Sequence, residues 1–313
     1  MAKPKVLILA GGLSHERDVS LRSGRRVAEA LRAADCEVAE TDLDNRFFDQ
    51  LSACDPDLVW PLLHGALGED GSVRDVLELS GVPYLGSDPR SARAAWNKSV
   101  AKTLIRRSGQ ATPDYVTFPQ SLFRQLGAAP LLDLVSASLG SDLVVKPLYG
   151  GSALGVTRVS DPSQLPQAMM DCFAYGDIAL IERAVLGTEL AVSVVDLGSG
   201  PVALPAVEIV TDGPYDYDAR YNPGRTEFFA PARIDDQVSD AAAALALSAH
   251  RTLGLARISR TDLIVDAAGV PWFLEVNVAP GMQETSLLPQ AALAAGQALP
   301  ALYRALVEAS IAA

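Results

Sequence analysis

Two carboxylates and one amide near the C-terminal end of the chain have the residue types and spacing of a metal site. Asp262 lies in a mainly apolar run over 261–266, and Glu275 and Asn277 lie in a second run over 270–277. The pattern predicts a β-hairpin, and an even number of unpaired turn residues would place all three side chains on one face. Oxygen ligands of this kind suit Mg²⁺ or Mn²⁺ rather than Zn²⁺. Solvent-facing acidic residues are the alternative, which the apolar neighbours on both runs weaken.

A lysine followed by a glycine-rich loop is a candidate phosphate site. Lys146 lies near the end of the predicted strand 143–147, and the loop 148–156 contains three glycines and Ser152. Mg²⁺ that is held by few carboxylates normally contacts substrate phosphates, and the backbone N–H groups of such a loop can line a triphosphate. An ordinary turn is the alternative. The chain has neither a P-loop nor a G-x-G-x-x-G motif after a strand, which argues against a P-loop ATPase and a Rossmann dehydrogenase.

Alternating strands and helices must position the polar residues of the N-terminal part. The apolar runs predict strands at 6–10, 37–41 and 58–63, with a helix over 19–31. This order is typical of a doubly wound parallel sheet, whose ligands bind at the carboxyl ends of the strands. The segments 11–16 and 64–71 are therefore expected on one rim.

The remaining chain predicts two further units after a change of composition near residue 90. A single helix is expected over 91–108, and a polar loop over 212–229 is long enough to be functional. We predict three domains, at 1–90, 91–186 and 187–313. The expected strands are 143–147, 156–159, 179–183, 189–196 and 202–210.

Composition excludes several classes of protein. The 313 residues carry 26 Lys and Arg against 38 Asp and Glu, a net charge of −12 that argues against a nucleic-acid partner or an anionic membrane surface. No apolar run is long enough for a membrane span or a signal peptide. The three widely spaced cysteines support neither disulfides nor a zinc site, so we expect a cytoplasmic protein.

Several short motifs, in register over residues 6–290, resemble those of the D-alanine:D-alanine ligases of the ATP-grasp superfamily. The resemblance rests on residues 11–21 (GGLSHERDVSL), 64–71 (HGALGEDG), 83–87 (PYLGS), Asn97-Lys98, Lys146-Pro147, Glu182, Glu189, 260–262 (RTD), 275–277 (EVN) and 280–282 (PGM).

The resemblance implies an α/β, α+β ATP-grasp fold with a small central domain and a larger C-terminal domain that hold ATP between two antiparallel sheets. It implies a homodimeric ligase that joins two D-alanine molecules through an acyl phosphate for peptidoglycan precursors, with ATP and two Mg²⁺ or Mn²⁺ ions. The implied roles are phosphate binding by Lys98 and Lys146; adenine and ribose contacts by Glu182 and Glu189; metal binding by Asp262, Glu275 and Asn277; binding of the first D-alanine by Glu16 with His64 nearby; loop closure by Ser152 and Tyr221; and contacts to the substrate carboxylate and oxyanion by Arg260, Ser286 and the backbone near Gly281.

Departures from the family pattern leave the strict substrate open. Arg220 replaces a usual lysine of the long loop, where it can still hold phosphate, and Tyr221 favours an amine acceptor over D-lactate. One alternative is an ATP-grasp ligase for other amino or hydroxy acids. Another is a nucleotide-binding regulatory protein without catalysis, against which the three predicted metal ligands argue. The other departures are Val278, Gln283, Gly150, Ala153 and the pair Arg74-Asp75.

Overall fold

A three-stranded parallel sheet begins the chain in the computed structural model, which describes residues 3–211 and 226–312. Its strands are β1 (Lys5–Ala10), β2 (Glu37–Asp42) and β3 (Leu58–Pro61), and its helices are α1 (Arg17–Ala33), α2 (Phe47–Cys54), α3 (Ala66–Glu69) and α4 (Ser72–Ser80). Central β1 pairs with β2 and β3 in parallel. Its Val6 and Ile8 belong to the core that includes residues of α1, whereas Leu7 and Leu9 belong to the core that includes residues of α2 and α4. The sheet is covered on both faces, which confirms the predicted parallel α/β unit.

The single helix expected over 91–108 is wrong, because two helices occupy this segment. They are α5 (Pro89–Trp96) and α6 (Lys98–Arg107). Asn97 between them is extended, with φ −82° and ψ 98°, and its side chain accepts hydrogen bonds from the N–H groups of Ser99 and Val100. Asn97 thus ends one helix and caps the next, which leaves Lys98 at the first position of α6.

A four-stranded antiparallel sheet follows, in the order β4–β7–β5–β6. Its strands are β4 (Tyr115–Pro119), β5 (Leu143–Pro147), β6 (Thr157–Val159) and β7 (Ile178–Arg183), and its helices are α7 (Gln120–Leu126), α8 (Ala128–Leu139) and α9 (Leu165–Phe173), preceded by a 3₁₀ turn (Pro162–Gln164). β5 and β6 pair as an antiparallel hairpin, which confirms the predicted strand, glycine loop and strand. The loop over 148–156 places Ser152 and Ala153 in left-handed conformations, with φ of 53° and 55°.

The largest sheet is six-stranded and lies in the C-terminal half of the chain. Its order is β11–β10–β8–β12–β13, with β9 paired to β8. The strands are β8 (Gly187–Asp196), β9 (Pro201–Ala203), β10 (Val207–Thr211), β11 (Thr226–Phe229), β12 (Ile258–Asp266) and β13 (Pro271–Asn277), and the helices are α10 (Asp236–Thr252), α11 (Leu287–Ala294) and α12 (Leu299–Ile311).

Two expectations for this sheet are corrected by the strands. The run 202–210 is two strands rather than one, since Pro205 between them has no N–H for a ladder. The last four residues of the predicted loop 212–229 form β11, whereas 212–225 lie outside the described residues.

Packing crosses the boundaries that the sequence predicts at residues 90 and 186. Tyr303 of α12 packs against Trp60 of β3, with an edge-to-face contact at 5.5 Å between ring centroids. Ala101 and Ile105 of α6 share a core with Phe273 of β13. The division into three domains therefore stays a prediction. Across residues 3–211 and 226–312, none of the helices combines the length and the apolar character needed to cross a membrane.

Candidate active site

The β12–β13 hairpin presents four polar side chains in two cross-strand pairs. Asp262 lies opposite Glu275, and Arg260 lies opposite Asn277. Because pairs two residues apart along a strand share a face, all four side chains lie together. A β-bulge follows Asp262, where the register shifts by one residue. The predicted shared face is confirmed, and the metal-binding role stays a prediction.

Protein groups hold the hairpin side chains in place. Arg260 donates to both carboxylate oxygens of Asp262, at 2.6 Å from Nε to Oδ1 and 2.8 Å from Nη2 to Oδ2. The Asn277 Oδ1 atom accepts from the N–H of Ala279 at 2.7 Å. No three His, Cys, Asp or Glu side chains in the described parts of the chain form a metal-binding group. Two carboxylates and an amide still fit an ion that keeps water and phosphate oxygens among its ligands.

Lys98 connects the hairpin to the glycine-rich loop. Its Nζ donates to the carbonyl oxygen of Gly150 at 2.5 Å and lies 3.3 Å from Oε2 of Glu275. The side chain is almost fully buried. A lysine between a glycine loop and a carboxylate is well placed to stabilise phosphate charge.

A second ionic group joins three elements around Glu182 of β7. The Nζ atom of Lys146 lies 2.5 Å from Oε1 of Glu182, and that of Lys102 lies 2.7 Å from Oε2. Burial alone would raise the pKa of Glu182, but the two lysines hold it below its usual value. Burial lowers the pKa of Lys102 to about 8, and the neighbouring Glu182 opposes this shift. Sequence reasoning missed Lys102, although its position one helical turn after Lys98 is a signal that could have found it.

A cleft of about 570 Å³ lies between the two antiparallel sheets. Pockets for small molecules are commonly of this size and are lined by apolar groups with a few polar ones. Apolar side chains from both sheets line the cleft, among them Val144 of β5 and Ile209 of β10. The predicted nucleotide and metal residues along its walls are Lys98, Lys146, Glu182, Glu189, Asp262 and Glu275.

A smaller, polar cavity of about 110 Å³ adjoins the cleft. The two share Lys98, Gly150, Gly151 and Glu275 as lining residues, so the glycine loop and the hairpin separate them. The residues predicted to contact D-alanine, to close the loop or to stabilise the oxyanion line the small cavity, as does the predicted metal ligand Asn277. They are Glu16, His64, Ser152, Arg260, Gly281 and Ser286.

Glu16 reaches the glycine loop from the N-terminal rim. Its Oε1 accepts a short hydrogen bond from the Ser152 hydroxyl, and both residues are buried. A Cβ at Gly65 would lie 2.9 Å from Oε2 of Glu16, and its φ is +77°. Only glycine fits at position 65 without displacing this carboxylate.

His64 is buried and neutral at physiological pH. Its Nδ1 lies 3.0 Å from the carbonyl oxygen of Ala279, which can only accept, so Nδ1 carries the proton. Nε2 lies 3.4 Å from the Ser23 hydroxyl. Burial lowers the pKa of His64 to about 4. The imidazole therefore ties the rim to the segment after Asn277 without adding positive charge.

Gly281 and Ser286 lie close together, and both line the small cavity. The Ser286 hydroxyl oxygen accepts from the N–H of Gln283 at 2.9 Å. A Cβ at Gly281 would approach that oxygen to 2.8 Å, so any side chain there would displace the hydroxyl.

Glu69 is a cavity residue that sequence reasoning missed as a site residue. It is buried, and its Oε1 accepts from the N–H of Gly65 at 3.0 Å. Burial, followed by the charge of Glu16, raises the pKa of Glu69 to about 8. Its place in the 64–71 motif was the available signal, but its burial beside Glu16 depends on long-range packing.

The Glu69→Gln variant tests this protonation state. Between about pH 4.5 and 8, Glu69 carries a proton in the folded protein but is ionised in the unfolded chain. Its contribution to stability is therefore lost as pH rises through this window. Gln cannot ionise. We therefore expect the unfolding free energy of wild type minus that of the variant to fall from pH 5 to 8, by at most about 1.4 kcal/mol per pH unit.

Urea unfolding at pH 5, 6, 7 and 8 measures this difference. A difference that is constant across the four pH values would show that Glu69 is ionised in the folded protein. Glu37→Gln, on the exposed side of β2, is the control and is expected to change stability by less than about 0.5 kcal/mol.

The structure brings every described site candidate into the cleft or the small cavity, and their individual roles stay predictions. Arg220 and Tyr221 lie outside the described residues, as does the segment 212–225 of the predicted functional loop.

Comparison with known proteins gives a consistent family. The model of the D-ala D-ala ligase C-terminus matches residues 104–308. A D-alanine–D-alanine ligase of Bordetella petrii is 38% identical over 97% of this chain and 91% of its own, and one of Nitratidesulfovibrio vulgaris is 40% identical over 97% of each. A crystal structure of D-alanine–D-alanine ligase from Bacillus anthracis complexed with ATP superposes with a TM-score of 0.82 at 28% identity, covering 100% of this chain and 98% of that one.

The matches extend over both cavities and the parallel sheet, and they agree with the motifs on which the resemblance rests. The chain belongs to the D-alanine–D-alanine ligase family of ATP-grasp enzymes.

Proposed function

We propose that this protein joins two D-alanine molecules to D-alanyl-D-alanine while it converts ATP to ADP and phosphate. The observation that carries the proposal is the pair of adjoining cavities with Lys98 and Glu275 in their common wall. The large cleft suits a nucleotide, and the small polar cavity suits amino-acid head groups. The names of the family relatives support this substrate assignment.

The large cleft supplies groups for the nucleotide. Lys98 and Lys146 would neutralise phosphate oxygens, and the N–H groups of the loop 148–156 would donate to them. Glu189 lines the cleft and would accept from the ribose hydroxyls. Glu182 is enclosed by its two lysines, so the backbone beside it would contact the adenine edge.

Asp262, Glu275 and Asn277 would hold Mg²⁺ or Mn²⁺, and two ions are proposed. A divalent cation would neutralise charge on the phosphates during transfer. The Arg260 guanidinium orients the carboxylate of Asp262, which fixes its position in advance. The carboxylate of Glu275 lies close enough to Lys98 for metal and lysine charges to act on the same phosphate.

The small cavity supplies the groups that would bind and activate D-alanine. Glu16, which is held by Ser152, would bind the ammonium of the first D-alanine. A carboxylate oxygen of the bound D-alanine attacks the γ-phosphorus of ATP, and the bond between that phosphorus and ADP breaks, which leaves a D-alanyl phosphate. The neutral amine of the second D-alanine then attacks the acyl carbon, phosphate departs with the bonding electron pair, and the nitrogen loses a proton. Arg260 and backbone N–H groups near Gly281 would stabilise the oxyanion.

A substrate screen tests the proposal. Purified protein with ATP and Mg²⁺ is expected to release phosphate and form D-alanyl-D-alanine when D-alanine is supplied, as followed by a coupled ADP assay and mass spectrometry. D-serine, D-lactate and L-alanine are offered as second substrates. A higher kcat/KM for one of these would favour the alternative of a specialised ligase, and no phosphate release with any substrate would favour a regulatory protein.

Assembly and location are further parts of the proposal. The family resemblance supports a homodimer, which sedimentation velocity tests, and a cytoplasmic location, where both D-alanine and ATP are consumed. A monomer at micromolar protein concentration would contradict the proposed homodimer.

A further inference from the structure

Arg74 of α4 is a buried cation that the proposed reaction does not use. Its side chain is 1% exposed, and in the described part of the chain no Asp or Glu oxygen lies within 4.0 Å of its guanidinium nitrogens. Its Nη1 donates a short hydrogen bond to the carbonyl oxygen of Gly68, and its Nη2 donates to that of Val278 at 3.4 Å. Its Nε has no hydrogen-bond partner among the described residues. The side chain therefore contacts backbone from two segments that are 210 residues apart in the chain.

These two segments form two walls of the small cavity. Gly68 lies in α3 between the lining residues His64 and Glu69, and Val278 directly follows the lining residue Asn277. A Cβ at Gly68 would lie 2.0 Å from the carbonyl oxygen of Leu63, so α3 packs closely against the backbone that follows β3. Arg74 thus bonds to α3 on one side and to the start of the segment that leads to Gly281 on the other.

Other contacts between the same walls are few. His64 donates to the carbonyl of Ala279 between these walls, whereas the N–H of Met282 donates at 3.2 Å to the hydroxyl of Ser23, which lies in α1. Arg74 adds the contact to Val278, which lies nearest to the predicted metal ligand Asn277. Loss of this contact would free Val278, while Ala279 stays bound to His64 and Met282 stays bound to Ser23.

Burial of a cation without a contacting carboxylate is unfavourable, and it lowers the pKa of Arg74, although Tyr84 and the more distant carboxylates of Glu69, Asp70 and Asp88 oppose this shift. An apolar side chain of similar length would fill the site without that cost, so stability alone does not account for an arginine here. We propose that Arg74 is a positioning residue, whose guanidinium holds the segment 277–281 against the segment 64–69 and thereby sets the shape of the small cavity. The kinetic part of this inference rests on the proposed function.

Two variants test the proposal. Arg74→Met removes every hydrogen-bond donor of the side chain and keeps its approximate length. Arg74→Lys keeps the positive charge but replaces the guanidinium by a single ammonium group. We expect Arg74→Met to raise the KM for D-alanine by about tenfold, with the KM for ATP changed less than twofold and the melting temperature unchanged or higher. Arg74→Lys is expected to lie between Met and wild type.

Arg304→Met is the matched control. Arg304 also donates to a backbone carbonyl, that of Ala34 at 2.8 Å, but Ala34 is not next to any residue that lines a cavity, whereas Gly68 and Val278 directly adjoin the lining residues Glu69 and Asn277. Both KM values are expected to stay at wild-type level in this variant. If Arg74→Met changes only the melting temperature, or raises both KM values equally, Arg74 is structural and the proposal is overturned. If the methionine variant fails to fold, the same comparison of the KM for D-alanine with the KM for ATP is made in Arg74→Lys.

Hydrogen exchange provides a readout that needs no turnover. In the Arg74 variants, peptides covering 277–286 are expected to exchange at least several-fold faster, while peptides of the glycine loop 148–156 stay at the wild-type rate. Wild-type rates in both peptides would overturn the positioning role. A wild-type protein without ligase activity would instead contradict the proposed function and leave the exchange comparison valid.

Discussion

Glu275→Gln is expected to lower kcat for ATP- and D-alanine-dependent phosphate release by about 10²- to 10³-fold. The substitution keeps the size of the side chain and removes the charge that lies opposite Asp262 and 3.3 Å from the Lys98 amine. If Glu275 holds a divalent cation, an amide there weakens both the ion and the electrostatic support for the transferring phosphate. The half-saturating Mg²⁺ concentration should therefore rise in the same variant.

A coupled ADP assay over a Mg²⁺ titration measures both effects. Glu37→Gln, a change of the same chemistry on the exposed side of β2, should behave as wild type. The metal assignment fails if Glu275→Gln keeps more than half of the wild-type turnover at every Mg²⁺ concentration.

Lys146→Met is expected to lower kcat/KM for ATP by about 10²- to 10³-fold. Lys146 lines the cleft as well as pairing with Glu182, so its amine can reach a nucleotide phosphate. Lys102 provides the matched comparison, because it pairs with the other oxygen of the same carboxylate but does not line the cleft. Lys102→Met should instead lower the free energy of unfolding, by about 2 kcal/mol, through loss of a buried charged hydrogen bond.

The two variants are compared by kcat/KM for ATP and by urea unfolding. A selective kinetic loss in Lys146→Met and a selective stability loss in Lys102→Met would separate the two lysines. Equal kinetic losses in the two variants would mean that the Glu182 ion group acts as one unit and that Lys146 has no separate contact with phosphate.

The site shows which contacts are local in the sequence. Asp262 and Glu275 lie on adjacent strands joined by a short turn, so the alternation of side chains predicts their pairing without knowledge of other elements. The hairpin around the glycine loop 148–156 is local for the same reason. The order of the motifs matches the family pattern, but no pattern within the motifs specifies how far apart they lie in the fold.

Other features of the fold could not be predicted from the sequence, for identifiable reasons. Asn97 divides the expected helix because its side chain caps α6, and a cap competes with helix continuation in a way that apolar periodicity does not reveal. Tyr303 packs on Trp60 across most of the chain length, so a boundary based on composition does not predict this contact.

By itself, the sequence determined the α/β start, the two hairpins and the set of oxygen and lysine groups, because strand alternation and motif spacing depend on neighbouring residues. Only the tertiary structure decided which lysine faces the cleft, that Glu69 is buried beside Glu16, and that Arg74 contacts the Val278 backbone. The physical reason is that burial and electrostatic environment depend on groups brought together from distant parts of the chain.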